Sequence, residues 1–300
     1  MPKITSQNTS FASKRAQVLK RCNTNIDKQY VGTKLDTTEQ VDIDSPISNE
    51  TYPEKCKMMC DEALDISIYK KRGGEHIPKV IRRMDKKQVN VTGWLHPMRV
   101  VYSDLGENGN LGKFTEDVSK AKFAVTLEAA APDNIPSLGD KIIKDAEKDI
   151  SFVKDICDKA MGVAFHDENT WKSQKRGIDD DQTFIQNAQH SIIKTIEGDD
   201  GEKEVISLTR RLEGFHGEPN RPVFWRLRED DTPEQVHPKF IRRGAILKVQ
   251  VTFRAYQIPG GRYGVAGDLG KHILIVYSPP KEEKQKKSVE PEVPYIPFDL

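Results

Sequence analysis

Residues 245–265 read AILKVQVTFRAYQIPGGRYGV, and the fold turns on how that stretch is taken. Alternate positions Leu247, Val249, Val251, Phe253 and Ala255 are apolar, and Lys248, Gln250, Thr252, Arg254 and Tyr256 lie between them. A strand sends successive side chains to opposite faces, so the segment predicts a strand with one face for a core. Gly260 and Gly261 then supply a hairpin turn, with Arg262 and Tyr263 at its tip. The second face, with two cations and an aromatic ring, needs a partner.

Strands are predicted on both sides of this hairpin. KHILIVY (271–277) follows it, and EVISLTRRL (204–212) and RPVFWRLR (221–228) precede it. Further upstream, KFAVTLEA (122–129) alternates through Phe123, Val125 and Leu127. KQVNVTGWLHPMRVVY (87–102) is strand-like through Val89 and Val91, with Gly93 as a bend point. The Gly/Asn cluster SDLGENGNLGKF joins these two as a loop carrying Lys113 and Phe114. EGDDGEK (197–203) is a second hairpin tip.

Between the strand groups, residues 137–165 predict a helix. Ser137 caps it, and Ile142, Ala146, Ile150, Val153, Cys157, Ala160 and Ala164 form a core-facing stripe. A polar loop, HDENTWKSQKRGIDDD, leads to an apolar-periodic piece through Phe184, Ile185, Ala188, Ile192 and Ile193 that suits helix or strand. A helix is also predicted over 53–70, where Cys56, Met59, Cys60, Ala63 and Ile66 recur at helical spacing. Residues 1–52 are polar and predict a flexible N-terminal arm. Residues 278–300, rich in proline and charge, predict an extended tail. What remains, 53–277, is one domain with a helical insertion at about 137–196.

The chain is 36% hydrophobic and 31% charged with a formal net charge of +1, so function must rest on where charge sits. No run of eighteen apolar residues suggests a membrane span, and the first residues lack the apolar core of a secretory signal. Cys22, Cys56, Cys60 and Cys157 do not make a disulfide framework and point to a reducing, intracellular setting. Cys56 and Cys60, one helical turn apart, suit a metal, but no second Cys/His pair accompanies them, so core packing is the reading and no metal or cofactor is expected.

Charge is segregated locally. No Asp or Glu occurs between Glu234 and Asp268, and the interval holds Lys239, Arg242, Arg243, Lys248, Arg254 and Arg262. Phe240, Phe253, Tyr256 and Tyr263 share it, with Phe224, Trp225, Arg226 and Arg228 just upstream. Cations follow a phosphate backbone and exposed rings stack on bases, so the second face predicts single-stranded nucleic acid. Phe253 belongs to the apolar face and reads as core; Trp94 and Trp225 read equally as core or as stackers.

The strand ending in FRAY, the Gly-containing turn and YGVAGDLGKHILIVY resemble the last strands of OB-fold single-stranded DNA-binding proteins encoded by podophages and large double-stranded DNA viruses. GKFTEDVSKAKFAVTLEA resembles earlier strands of that fold, and the likeness covers roughly 86–277. The fold class expected is α+β, mainly antiparallel β, an OB-fold-like barrel with a helical insertion and disordered termini. The resemblance implies a non-enzymatic protein that coats exposed strands in DNA replication, recombination and repair. It places binding on Lys122, Arg226, Arg228, Lys248, Arg254, Tyr256 and Arg262, and Trp94, Arg99, Lys113, Phe114, Trp225, Arg242, Arg243 and Tyr263 complete the expected set. It further implies that the tail tip, with Tyr295, Phe298, Asp299 and Leu300, recruits replication proteins. RNA as an alternative ligand and a homo-oligomer stay open. Two other readings are a viral structural or scaffold protein and a metal-dependent nuclease using His166–Glu168 and Asp179–Asp181.

Overall fold

A computed structural model of the chain describes residues 51–53, 57–82, 91–104, 109–131, 136–198, 201–214, 216–228, 230–236, 241–258 and 261–279. The expected arm, apart from residues 51–52, and the tail beyond 279 with Tyr295, Phe298, Asp299 and Leu300 lie outside the described residues. In chain order, Leu64–Lys70 (β1) pairs with His76–Arg82 (β2) as a separate hairpin. Thr92–Trp94 (β3), Met98–Ser103 (β4) and Lys122–Glu128 (β5) follow. Next come the helices Pro136–His166 (α1), Lys172–Lys175 (α2) and Asp181–Gln186 (α3). Ile193–Gly198 (β6), Gly201–Arg211 (β7), Val223–Leu227 (β8), Pro233–Gln235 (β9), Ile246–Gln257 (β10) and Tyr263–Tyr277 (β11) complete the chain.

Five of these strands pair in a circuit. β4 runs antiparallel to β5, β5 to β7, β11 to β10 and β10 to β4, and the one parallel joint is β7 with β11. A three-strand meander closed by a hairpin, with third and fifth strands parallel, is the order of an OB-type barrel. Two joints are short: Ile246 and Leu247 against Arg99 and Met98, and Gly267 and Asp268 against Leu208 and Thr209. At the second, a Cβ on Gly267 would lie 2.5 and 2.7 Å from side-chain atoms of Leu208 and Ile192, so glycine lets these side chains pack over the joint without shifting. The long β10–β11 hairpin runs past the circuit, where β3 pairs with β10 and β8 with β11.

The interior explains the elements. Phe123, Val125 and Leu127 of β5 face inward with Ile206 and Leu208 of β7 and with Leu247, Val249 and Val251 of β10, all buried. Each large side chain moved out of water there contributes about 1.5–3 kcal/mol. The α1 stripe packs on the same core through Ala146, Ile150, Val153, Cys157, Ala160 and Ala164, as its spacing predicts. The helical insertion therefore sits between the second and third strands of the circuit, and β6 extends it into a hairpin with β7. Among the described residues no helix is long and apolar enough to cross a membrane.

Two local expectations are corrected. In place of the helix predicted over 53–70, the described residues 57–70 form a 3-10 turn, Met59–Asp61, followed by β1. Ile66 and Ile68 alternate across the hairpin and meet Val80 and Pro78, and that pairing with a strand the sequence reading missed outweighs helical spacing. The periodic piece through Phe184 and Ile193 is split: Asp180 caps α3 by accepting from the Thr183 N–H at 2.7 Å, and the chain then extends into β6.

Candidate nucleic-acid interface

The outward face expected on β10 is closed over its first half. Ile246, Lys248 and Gln250 are buried although they alternate with the core residues. Register explains it: Gln250 stands opposite Trp94 of β3, Lys248 opposite Leu274 of β11, and Leu274 opposite Trp225 of β8. Ile246, Leu274 and Trp225 build a second core with Ile142, Val223, Leu227 and Val276, and Trp94, Lys248 and Gln250 are buried as well. Tyr52 packs on both indoles, 6.3 Å from Trp94 and 5.5 Å from Trp225 between ring centroids. Lys248 is only 4% exposed, its ammonium lies 5.2 Å above the Trp94 ring, and Trp225 Nε1 donates to His272 Nδ1. Lys248, Trp94 and Trp225, expected to reach a ligand together, do meet, but they meet inside the protein.

Beyond that core the cations find carboxylates. Arg254 forks onto Asp268, with Nε 2.9 Å from Oδ2 and Nη2 3.1 Å from Oδ1. Arg226 and Arg228 both bind Glu234 of β9, Arg228 at 2.6 Å. Burial pushes the Glu234 carboxyl up, but hydrogen bonds from Arg228 and Arg226 outweigh it and hold the group below its ordinary range. The two acids that bound the acid-free interval in the sequence therefore neutralise Arg254 within it and Arg226 and Arg228 just before it. Arg99 is held by Glu128 at 2.7 Å, and Arg242 donates to the Pro279 carbonyl. The half-buried Tyr256 donates its hydroxyl to the Gln189 carbonyl. Tyr263 is no tip residue: it is buried, stacked on Phe184 at 4.2 Å, and donates to the Phe184 carbonyl at 2.7 Å. Of the expected set, Lys113, Phe114, Lys122, Arg228, Arg243, Arg254 and Arg262 are exposed, Arg228 and Arg254 within the ion pairs just described.

Lys113, Phe114 and Lys122 converge on a different surface, the outer side of β4, β5 and β7. Inward Phe123, Val125 and Leu127 turn Lys122, Ala124 and Thr126 outward, and the β5–β7 register sets these opposite Arg211, Thr209 and Ser207. Lys122 and Arg211 are thus direct cross-strand neighbours, both exposed, and neither has a carboxylate partner among the described residues. Like charges so opposed destabilise a sheet. Tyr102 of β4 stands opposite Thr126 and is 51% exposed. The other end of this face is covered, because Glu128 and Val205 are buried.

The loop from β4 to β5 rises beside this face and is fixed to it by Asn110. Its side-chain oxygen accepts from the Lys122 N–H at 2.7 Å, and its carbonyl accepts from the N–H groups of Lys113 and Phe114. Gly109 allows the approach: its φ is +54°, and a Cβ there would lie 2.7 Å from the Lys122 carbonyl oxygen. Phe114 is consequently presented at 80% exposure with few contacts to hold it. Lys113 reaches Asp104 at 3.4 Å, and Asp117 is occupied within the loop by Ser119 and Lys120.

Sequence reasoning missed Tyr102 and Arg211. Arg211 was legible, being in phase with Ser207 and Thr209 and out of phase with Ile206 and Leu208. Tyr102 was not, because the β4–β5 register shifts between Val100 and Tyr102, which reverses the alternation.

The acids weighed as a nuclease site are spread out. Asp180 is the α3 cap, Asp181 meets His166 at 3.3 Å, and Asp167 bonds Thr170 and His76. The Cys60 thiol, pushed up to about 12 by burial and by the nearby Asp149 carboxylate, is no ready nucleophile.

No protein-family model and no curated protein sequence matches the chain. Solved structures similar to it include two single-stranded DNA-binding proteins of bacteriophages. One is gp2.5, a single-stranded DNA-binding protein encoded by bacteriophage T7, at 12% identity over 70% of this chain and all of that one, with a TM-score of 0.39. The other is the single-stranded DNA-binding protein from bacteriophage Enc34, at 16% identity over 74% of this chain and 95% of that one, with a TM-score of 0.34.

Proposed function

We propose that this protein binds single-stranded DNA along the outer face of β4, β5 and β7 and coats exposed strands during replication, recombination or repair, without catalysing a reaction. One observation carries the reading: Lys122 and Arg211 face each other across the β5–β7 ladder, exposed and without a carboxylate partner among the described residues, on the same face as the exposed ring of Tyr102 and joined through Asn110 to the loop that presents Phe114. A phosphate between two such cations turns their mutual repulsion into shared attraction, and each contact releases counterions. The rings offer faces to bases that only a single strand leaves open, at roughly 1–3 kcal/mol per stacked base. This face and the β4–β5 loop are where OB-type barrels present oligonucleotides. In this reading the tail tip, with Tyr295, Phe298, Asp299 and Leu300, recruits replication proteins.

Fluorescence anisotropy with labelled single-stranded DNA, duplex DNA and RNA of equal length tests the proposal. Salt-sensitive, sequence-indifferent binding that favours the single strand is expected, with loss of affinity in the double variant Lys122→Ala, Arg211→Ala. Equal affinity for duplex, or undiminished binding by a variant that circular dichroism shows to be folded, overturns the assignment.

A further inference from the structure

Three side chains far apart in sequence converge under the barrel, and neither the strand-binding face nor the hydrophobic core accounts for them. Cys60 comes from the 3-10 turn, His96 from the segment between β3 and β4, and Asp149 from the middle of α1. Among the described residues this is the one group of three Cys, His, Asp or Glu side chains whose donor atoms all lie within 4.8 Å of one another. Cys60 Sγ is 3.8 Å from His96 Nδ1, and Asp149 Oδ2 is 3.1 Å from that same nitrogen.

The sharing of one nitrogen decides how the cluster is read. A Cys–His–Asp proton relay needs the thiol on one ring nitrogen and the carboxylate on the other. Here both crowd Nδ1, which has a single direction along which to donate or accept a proton. Three donor atoms gathered about one point instead suit a cation. With zinc bonds of about 2.3 Å to sulfur and 2.0–2.1 Å to nitrogen and oxygen, tetrahedral edges are roughly 3.6 Å for S···N and 3.3 Å for N···O. The observed 3.8 and 3.1 Å bracket those values.

A second observation concerns satisfaction of buried groups. Asp149 is 0% exposed, and while Oδ2 accepts from the His96 backbone N–H, Oδ1 has no hydrogen-bond partner among the described residues. A buried carboxylate whose charge is not balanced is costly, and a cation held at Oδ2 supplies the missing charge. We propose that Cys60, His96 and Asp149 are three ligands of a divalent-metal site, for which sulfur, nitrogen and oxygen donors favour zinc, tying α1 to the β3–β4 segment and the 3-10 turn and leaving the fourth position to water. The proposal is independent of nucleic-acid binding.

Full-length protein is stripped with a chelator and titrated with zinc, and separately with cobalt as a spectroscopic probe. One zinc per chain, a higher thermal unfolding midpoint with zinc, and a near-ultraviolet thiolate-to-cobalt charge-transfer band are expected. The band vanishes in Cys60→Ser and persists in Cys157→Ser, whose thiol is buried elsewhere in the core. Asp149→Asn lowers zinc affinity by at least the ~10–100-fold that loss of a supporting group costs. Should Asp149→Asn fail to fold, the half-buried Cys60→Ser carries the test alone. No band and no midpoint shift in the wild type, or a band that survives Cys60→Ser, overturns the site.

Discussion

Two strips of this barrel have the same grammar and opposite fates. On β10, Lys248 and Arg254 alternate with Leu247, Val249 and Phe253; on β5 and β7, Lys122 and Arg211 alternate with Phe123 and Leu208. The β10 strip lies beneath Trp94, Trp225 and Tyr52 at one end and against Asp268 at the other. On β5 and β7 the strip stays open, its cations opposed to each other rather than to acids. Alternation says that a strand has two faces; what covers the second is settled by strands far away in sequence. A cationic strip therefore indicates a polyanion only where the surrounding fold leaves the cations unpaired.

The sharpest way to break this contrast is to truncate one residue from each strip. Trp94→Ala removes the ring under Lys248 and a fully buried side chain, so denaturant unfolding should show a loss of about 3–5 kcal/mol. Strand affinity of the remaining folded protein should be unchanged; weakened binding with intact stability would reverse the roles of the two strips. Tyr102→Ala and Phe114→Ala should do the opposite, each costing roughly 1–3 kcal/mol of single-strand affinity at an unaltered melting temperature. Lys122→Ala or Arg211→Ala should lower the slope of log affinity against log salt by about 0.7, one phosphate contact on a single strand. Arg254→Ala should have the smallest effect, under about 1 kcal/mol of stability, because its pair with Asp268 is exposed and screened. A large loss of DNA affinity there would restore β10 as the ligand face.

The N-terminal hairpin repeats the lesson on a smaller scale. Cys56, Met59, Cys60, Ala63 and Ile66 have helical spacing, yet Leu64–Lys70 is a strand because His76–Arg82 offers it a ladder. Spacing of so few apolar residues fits both periods, and the partner strand decides between them. The Cys60–His96–Asp149 cluster was hidden for a related reason. Its members lie 36 and 53 residues apart, so no local spacing announces them.

The sequence by itself determined the strands of the circuit, the long helix, the β6–β7 hairpin and the inward faces of β5, β7 and β10. Periodicity and turn residues are local properties of a chain, and here they agree with burial. Only the tertiary structure decided which polar face stays in water. Burial of Lys248, the pairing of Arg254 with Asp268 and of Arg226 with Glu234, and the opposition of Lys122 to Arg211 all depend on register between strands. Register is fixed by packing across the whole barrel, where one bulge, as between Val100 and Tyr102, exchanges inside for outside.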